Sequence, residues 1–567
     1  YAQAGRGLVW DAVRYAFVPD GQSARVLTAG AIRGADDAAG ALADGFRVAA
    51  ECFGLDAGDD ALPRVIARQR SALQPLWEVP LPDGVKEKRF VDFQNDVTAD
   101  DVHLAHREGY LQVEHLKRYT TLGMGTDQGR TSNINGLAIL AHLLGKDIPA
   151  VGTTRFRPPY QPITMGAITA GEIGPHLSPL RRTALHDWHV EHGAVMMNSG
   201  VWQRAAWYAQ EGEGMWDAIY RETRNVRANA GICDVSTLGK IDVQGRDAAT
   251  FLERIFINRW QKLGVGRVRY GVALREDGFV NDDGTVTRLA ANHFYVTTTT
   301  AHAAQMMAQM EYYAQTVWPE LDVHLVSITD QWAGMAVAGP KSRAILQTLT
   351  DGDLGNEATP YMSCTETTLA DVPLRLLRVS FSGELGYELH VPSGYARHVW
   401  QAIVDAGADE GLTPYGLEAM GILRIEKGFL THAEIDGRVN ADDLGVAGMM
   451  KADGDFVGKR SQIREAFEAG DRKVLVGLKS LDGKRIPRGG HLVANASAPA
   501  PLDKLGHVTS QCFSPHVDAY IGLALVKNGR DRHGETLTVT SPLTGENVRV
   551  ELCPTVFVDP EGERVRA

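Results

Sequence analysis

Two adjacent carboxylates, Asp282 and Asp283, open the far arm of a hairpin-like segment, Arg275-Glu-Asp-Gly-Phe-Val-Asn-Asp-Asp283. Neighbouring side chains on a strand point to opposite faces, so only one of the pair can face a given pocket. A carboxylate in a pocket can orient an amine, accept its proton and stabilise the positive charge of an iminium. Another carboxylate, Glu384, follows Gly383 at a strand entry in Ser382-Gly-Glu-Leu-Gly-Tyr-Glu388, where its side chain can point into a cavity beside closely approaching backbone. Tyr270 lies on the arm preceding the hairpin, and Arg424 lies in Gly421-Ile-Leu-Arg-Ile-Glu-Lys-Gly428. Each also has an ordinary structural use. An Asp pair near a turn can form an Asx-type turn. Glu384 can cap the next turn, Tyr270 can be core, and Arg424 can pair with Glu426 or Glu418.

These residues fall in a long α+β pattern that begins at Arg181. The stretch Asp234-Val-Ser-Thr-Leu-Gly-Lys-Ile-Asp-Val-Gln-Gly245 reads as a strand and a Gly turn. Strand signals recur at Gly239–Val243, Tyr270–Leu274, His293–Thr299, Trp332–Val337, Leu374–Ser380 and Glu388–Val391. Helical patterns lie between them, among them Thr300–Thr316 and Ala396–Ala408. Residues 472–567, rich in Val and Leu with repeated turns, predict a small β-barrel.

Upstream, residues 1–58 hold Arg25-Val-Leu-Thr-Ala-Gly-Ala-Ile-Arg-Gly34, with a short strand expected at Val26-Leu27. A helix is expected from Asp36 to Cys52, with acidic residues in its first turn. Residues 59–90 read as a Pro-rich, charged linker, and residues 91–145 as a small helical module. In that module Thr98 and Asp101 have capping-box spacing, with helical patterning onward through His106 and His115, and a second helix from Asn133 to Leu144. Residues 146–180 form a connector whose Arg and aromatic content, in Thr154-Arg-Phe-Arg-Pro-Pro-Tyr160, suits packing against a surface.

At 567 residues the chain is too long for one core. With a net charge of −12, nothing points to nucleic-acid binding through a basic surface, and an anionic ligand needs local Arg and Lys. The five cysteines (Cys52, Cys233, Cys364, Cys512 and Cys553) are far apart with no C-x-x-C, which argues against disulfide and metal frameworks. Buried thiols in a reducing cytoplasm are expected, with no metal site. No apolar run reaches membrane-spanning length. The chain opens on Tyr rather than Met, so the sequence reads as the C-terminal part of something longer.

The segments Asp234–Gly245, Arg275–Asp283, Ser382–Glu388 and Gly506-His-Val-Thr-Ser-Gln-Cys-Phe-Ser-Pro515, in this order, resemble the folate-binding aminomethyltransferases, the T-proteins of glycine cleavage. Longer strings resemble the alpha subunits of heterotetrameric sarcosine oxidases: Thr183-Ala-Leu-His-Asp-Trp-His-Val-Glu-His-Gly-Ala194, Lys117–Asn133, Gly152–Tyr160, Ile328-Thr-Asp-Gln-Trp332 and Ala338-Gly-Pro-Lys341. The resemblance implies the tail of an α/β nucleotide-binding domain at residues 1–58, the helical module, an aminomethyltransferase domain over 181–471 and its β-barrel over 472–567. The Gly-rich phosphate loop that opens a nucleotide-binding domain is not in the chain, so NAD binding would need a preceding part.

The same resemblance implies the site. Asp283 would assist attack by tetrahydrofolate, Glu384 would bind the pterin edge, Tyr270 would cover the pterin face and Arg424 would border the folate. T-proteins usually carry an apolar residue after the second carboxylate; here Gly284 stands there, and the strand is expected to bend. The helical module resembles an iron–sulfur module of related amine dehydrogenases, whose cysteine positions here hold Asp92, Gln94, Asp127 and Ser132. None supplies a thiolate, so no cluster is expected. Lys117, Arg118, Thr120, Thr121, Gln128 and Arg130 would face the phosphate of an FMN at the boundary with a beta subunit. The implied activity is oxidative demethylation of sarcosine with beta, gamma and delta subunits in the cytoplasm, yielding glycine, hydrogen peroxide and 5,10-methylenetetrahydrofolate. The large subunit of an N-methylglutamate dehydrogenase and a non-catalytic scaffold with a relic folate pocket are the alternatives.

Overall fold

The Thr98 hydroxyl accepts a hydrogen bond from the Asp101 backbone N–H, and the Asp101 carboxylate accepts one from the Thr98 N–H at 2.8 Å. This capping box starts the helix Ala99–Arg107 and satisfies two donors that a helix N-terminus leaves open. The computed structural model describes residues 6–21, 26–55, 65–66, 72–158, 161–172, 174, 176, 179–499 and 501–567. They group into two units, residues 1–177 and residues 178–567.

In the first unit, the helices Ala99–Arg107, Val113–Thr120 and Asn133–Leu144 bury Val102, Ala105, Leu116, Leu137 and Leu140 together. The helical patterning from Thr98 to His115 is broken in two, because Gly109 takes φ +91°, open to glycine but costly for other residues. The helix expected from Asp36 runs instead over Ala38–Phe53. Asp37 is its N-cap, accepting from Gly40 N–H at 2.7 Å, so no acidic residue lies in its first turn. At the expected Val26-Leu27 strand, Val26 makes a single bridge only; Arg25, most of residues 59–71, and Pro159 and Tyr160 lie outside the described residues. The positions matched to cluster cysteines are knitted by hydrogen bonds. Asp92 accepts from Gly123 N–H at 2.7 Å and from the Ser132 hydroxyl at 3.3 Å, and Gln94 Oε1 accepts from Asp127 N–H at 3.1 Å.

The second unit holds two sheets and a barrel. The five-stranded antiparallel sheet runs His324–Ser327, Gly239–Gln244, His293–Thr298, Val280–Ala290, Val268–Leu274 in spatial order. The six-stranded sheet runs Ser363–Leu369, Val372–Arg378, Gly386–Pro392, Trp332–Ala338, Ala230–Asp234, Leu412–Pro414, the last pair parallel. Period-two alternation sorts the Gly386–Pro392 strand: Tyr387, Leu389 and Val391 enter the core with Trp400 and Leu376, while Glu388 and His390 turn to the other face. There the Tyr295 hydroxyl, from the five-stranded sheet, meets His390 Nδ1 at 2.7 Å. The strands from Lys473–Ser480 to Glu546–Cys553 close into the expected barrel around Val476, Leu492, Val539 and Val550. Among the cysteines, Cys233, Cys364 and Cys512 are buried, but Cys52 is exposed on its helix.

Gly284 continues the strand without breaking it, paired with Gly271. The irregularity falls earlier, between Val280 and Asp282. A Cβ on Gly284 would lie 1.9 Å from the Thr297 carbonyl oxygen, so the glycine lets two strands approach right beside Asp283. Gly284→Ala is expected to destabilise the protein by ~1–3 kcal/mol and to weaken ligand binding at Asp283. Denaturant unfolding checks the first part, and an unchanged midpoint would contradict it.

Candidate functional site

The bulge before Asp282 sets which carboxylate faces which way. Asp283 pairs with Val272 and Thr285 with Tyr270, so Asp283 and Tyr270 are diagonal neighbours on one face of the sheet. The Tyr270 hydroxyl donates to Asp283 Oδ2 at 2.6 Å, and the Thr299 hydroxyl donates to Oδ1 at 3.4 Å. Burial pushes the Asp283 carboxyl up to about 6; the Tyr270 hydrogen bond opposes this and the neighbouring Asp282 charge adds to it. Asp282 turns the other way, accepting from Thr299 N–H at 3.3 Å, with His302 Nδ1 3.5 Å away. Hydrogen bonding to Asp282 raises the His302 pKa against the effect of burial. A carboxyl that titrates near neutrality, held by a phenol, can take and return a proton.

Glu384 is buried, and its Oε1 is taken by two guanidinium groups, Arg227 Nη1 at 2.7 Å and Arg564 Nη1 at 2.6 Å. Arg227 also donates to Glu426 Oε2 through Nε at 2.7 Å and Nη2 at 2.6 Å. Glu426 Oε1 in turn accepts from Ser514 at 2.6 Å and lies 2.9 Å from His516 Nδ1. Burial works to raise the Glu426 pKa, but His516, Arg227 and Ser514 outweigh it and hold the carboxyl below its ordinary value. Glu384 is thus a member of a buried charge network tying helix Met215–Ala228 to helix Leu417–Lys427 and the barrel strand Gly506–Ser514.

A carboxylate the sequence reasoning passed over is Glu388. Its Oε2 lies 3.4 Å from His390 Nε2, and it meets no arginine or lysine within ion-pair distance among the described residues. Since a neutral imidazole carries one N–H, Nε2 donates to Glu388 while Nδ1 accepts from Tyr295. The signal was present in the sequence: Glu388 and His390 alternate with Tyr387, Leu389 and Val391, which places two polar residues on one face.

Arg424 does not pair with Glu426 or Glu418. Its Nη1 donates to Glu434 Oε2 at 2.9 Å and its Nη2 to the Ser510 hydroxyl at 2.6 Å, so it locks a helix to the barrel. In the first unit, the Lys117 ammonium donates to the Arg155 carbonyl at 2.6 Å, and Gln128 Oε1 accepts from Arg157 N–H at 2.8 Å. Burial lowers the Lys117 pKa. Thr120 donates to the Leu116 carbonyl at 2.8 Å, while Arg118, Thr121 and Arg130 are exposed. Lys117 and Gln128 each spend a polar group on the connector, while Arg118, Thr121 and Arg130 lie at the surface of this unit.

Comparison with known proteins accords with this architecture. Residues 185–454 match the GCVT N-terminal domain profile, and residues 473–559 the glycine cleavage T-protein C-terminal barrel domain. Residues 86–172 match the sarcosine oxidase A3 domain. An aminomethyltransferase of Bacillus subtilis (strain 168) is 31% identical, over 64% of this chain and 94% of its own length. The chain therefore belongs to the aminomethyltransferase family. Over nearly its whole length it is also similar to sarcosine oxidase subunit alpha: 47% identical to that of Rhizobium meliloti (strain 1021), across 98% of this chain, and 41% to that of Corynebacterium sp. (strain P-1), across 100%. It spans 57% and 60% of the length of these two relatives. The solved glycine cleavage system aminomethyltransferase T from Bartonella henselae shares the fold, with a TM-score of 0.58 at 23% identity over 67% of this chain and 98% of that one.

Proposed function

We propose that the chain is the folate-binding portion of a sarcosine oxidase alpha-type subunit, and that it captures on tetrahydrofolate the carbon released when an N-methyl amine is oxidised. The observation that carries this is the Tyr270–Asp283 contact at 2.6 Å, with the carboxyl raised to about 6. The folate N5 attacks the carbon of the iminium formed from sarcosine. N10 then closes on the same carbon, and the carbon–nitrogen bond to glycine breaks. The two protons lost from N5 and N10 leave with the glycine amine, and Asp283 is the group that accepts and returns them. A nucleophile held beside the reactive carbon outcompetes water by proximity.

For the pterin edge, which presents adjacent donors, Glu388 is the better-supported partner. Glu384 has Oε1 committed to Arg227 and Arg564, whereas among the described residues Glu388 is held by His390. Arg424 borders the site through the Glu434–Ser510 lock, a positioning role. Partner subunits of beta, gamma and delta type, and an FMN shared with the beta subunit, belong to the same proposal, supported by the similarity of residues 86–172 to the sarcosine oxidase A3 domain. Among the described residues, no helix is long and apolar enough to cross a membrane.

Titration of the chain with folinic acid, a stable folate analogue, tests the reading: saturable binding that Glu388→Gln weakens more than Arg118→Ala supports it, and absence of binding overturns it. A pH profile tests the base. Asp283 must be ionised to accept a proton, so capture is level above about pH 6 and falls about tenfold per unit below it. Asp282→Asn removes a charge that raises the Asp283 pKa while keeping an acceptor for Thr299. The acid limb should then move to lower pH; a shift to higher pH would contradict the electrostatic account.

A further inference from the structure

Three side chains from two sheets form a line behind the Glu388 carboxylate. Tyr295 comes from the five-stranded sheet, and His390 and Glu388 from the Gly386–Pro392 strand of the six-stranded one. The Tyr295 hydroxyl meets His390 Nδ1 at 2.7 Å, and His390 Nε2 lies 3.4 Å from Glu388 Oε2. Tyr295 and His390 are fully buried, whereas the Glu388 side chain keeps 15% of its surface exposed, so the line runs outward and ends on the carboxylate. Among the described residues, Glu388 Oε1 accepts no hydrogen bond.

Chemistry fixes the direction of this line. Burial raises the Tyr295 pKa, so the phenol keeps its proton and donates. Burial also lowers the His390 pKa; Glu388, on the same strand, opposes this, while Lys240 and Arg375 add to it. The imidazole is therefore neutral and carries one N–H. A carboxylate only accepts, so that N–H sits on Nε2, and Nδ1 accepts from Tyr295. Arg375 lies across from His390 on the Val372–Arg378 strand, with its guanidinium 4.9 Å from the Tyr295 ring centre and 4.3 Å from that of Trp332. The Lys240 ammonium is spent on the Ser236 and Leu238 carbonyls at 2.7 and 3.0 Å. Among the described residues, neither cation forms an ion pair with Glu388; Arg375 reaches Glu366 instead, at 3.6 Å.

We infer that Tyr295 and His390 are positioning residues for the pterin: the imidazole holds Glu388 Oε2 from behind and leaves Oε1 and the outer lone pair of Oε2 to the adjacent N–H donors of the pterin edge. The inference rests on the reading that folate binds with its pterin at Glu388. Both residues act through Glu388. Without His390 the carboxylate is free to rotate, and a two-point contact with adjacent donors loses its fixed geometry. Without the Tyr295 hydroxyl, His390 can shift its N–H to Nδ1, which turns a lone pair toward the carboxylate.

The test is calorimetric titration of the whole protein with folinic acid and with its 2-desamino-2-methyl analogue, which lacks one donor of the pterin edge. His390→Leu is expected to weaken folinic acid binding about tenfold and Tyr295→Phe about threefold, with smaller losses for the analogue. A merely structural role would weaken both ligands alike, so the ratio of the two affinities is the readout. His390→Gln, whose amide N–H can stand where Nε2–H stands, should restore most of that ratio. In a Glu388→Gln background His390→Leu should add little, because residues that act through one group are not additive. Tyr295→Phe, which keeps the buried ring, carries the test if His390→Leu prevents folding. Equal losses for the two ligands, full additivity with Glu388→Gln, or unchanged folinic acid affinity in both single variants overturns the inference while leaving folate binding intact. Folinic acid binding that Glu388→Gln does not weaken also overturns it, by moving the pterin off Glu388. If the unaltered protein binds no folinic acid, the reading of the folate site fails first and takes the inference with it.

Discussion

In the assembled oxidase that the proposal describes, Asp283→Ala is expected to leave amine oxidation near its normal rate while folate-dependent capture of the carbon falls ~100-fold or more, the usual contribution of a positioned acid–base group. Free formaldehyde should rise in proportion. The structure gives the reason to expect a folded variant. Asp283 is held by Tyr270 and Thr299 within the five-stranded sheet, and it shares no hydrogen bond with the buried network of Arg227, Glu384 and Glu426. Removing it therefore takes away the base without unpairing that network. Tyr270→Phe is the graded companion: it keeps the ring and removes one donor, so a smaller loss is expected. The measurement is simultaneous assay of peroxide and formaldehyde with tetrahydrofolate present. Unchanged formaldehyde output in Asp283→Ala would end the assignment.

Arg227→Met is expected to have the largest effect on stability, about 3–5 kcal/mol, because it strands two buried carboxylates. Arg227 joins Glu384, whose side chain is 4% exposed, to Glu426, which is fully buried. Arg564 and His516 would remain as partners and soften the loss, but neither bridges the two acids. Adding Glu426→Gln to Arg227→Met should recover part of the loss, since a neutral amide costs less to bury than an unpaired charge. Denaturant midpoints of the single and double variants check this. A single-variant loss under about 1 kcal/mol would show the network to be replaceable.

Much of this was legible in the chain. Strands such as His293–Thr298 and Trp332–Ala338, the capping box at Thr98 and the barrel after residue 472 follow from local periodicity and turn chemistry, which act over a few residues. The Asp282–Asp283 pair carried its own geometric statement, because adjacent strand residues must diverge. Partnership did not follow from spacing. Glu384 meets Arg227 and Arg564, which lie 157 and 180 residues away, and a following strand carries Glu388 to the face that holds His390. Lys117 meets Arg155 and Gln128 meets Arg157, contacts 38 and 29 residues apart that spacing did not announce. Which ionisable group is spent on a buried partner and which is left for a ligand depends on contacts between distant segments. The sequence alone determined the strands, the turns and the paired acids; only tertiary packing decided which charge remained to do chemistry, since desolvation and pairing exist only once the segments meet.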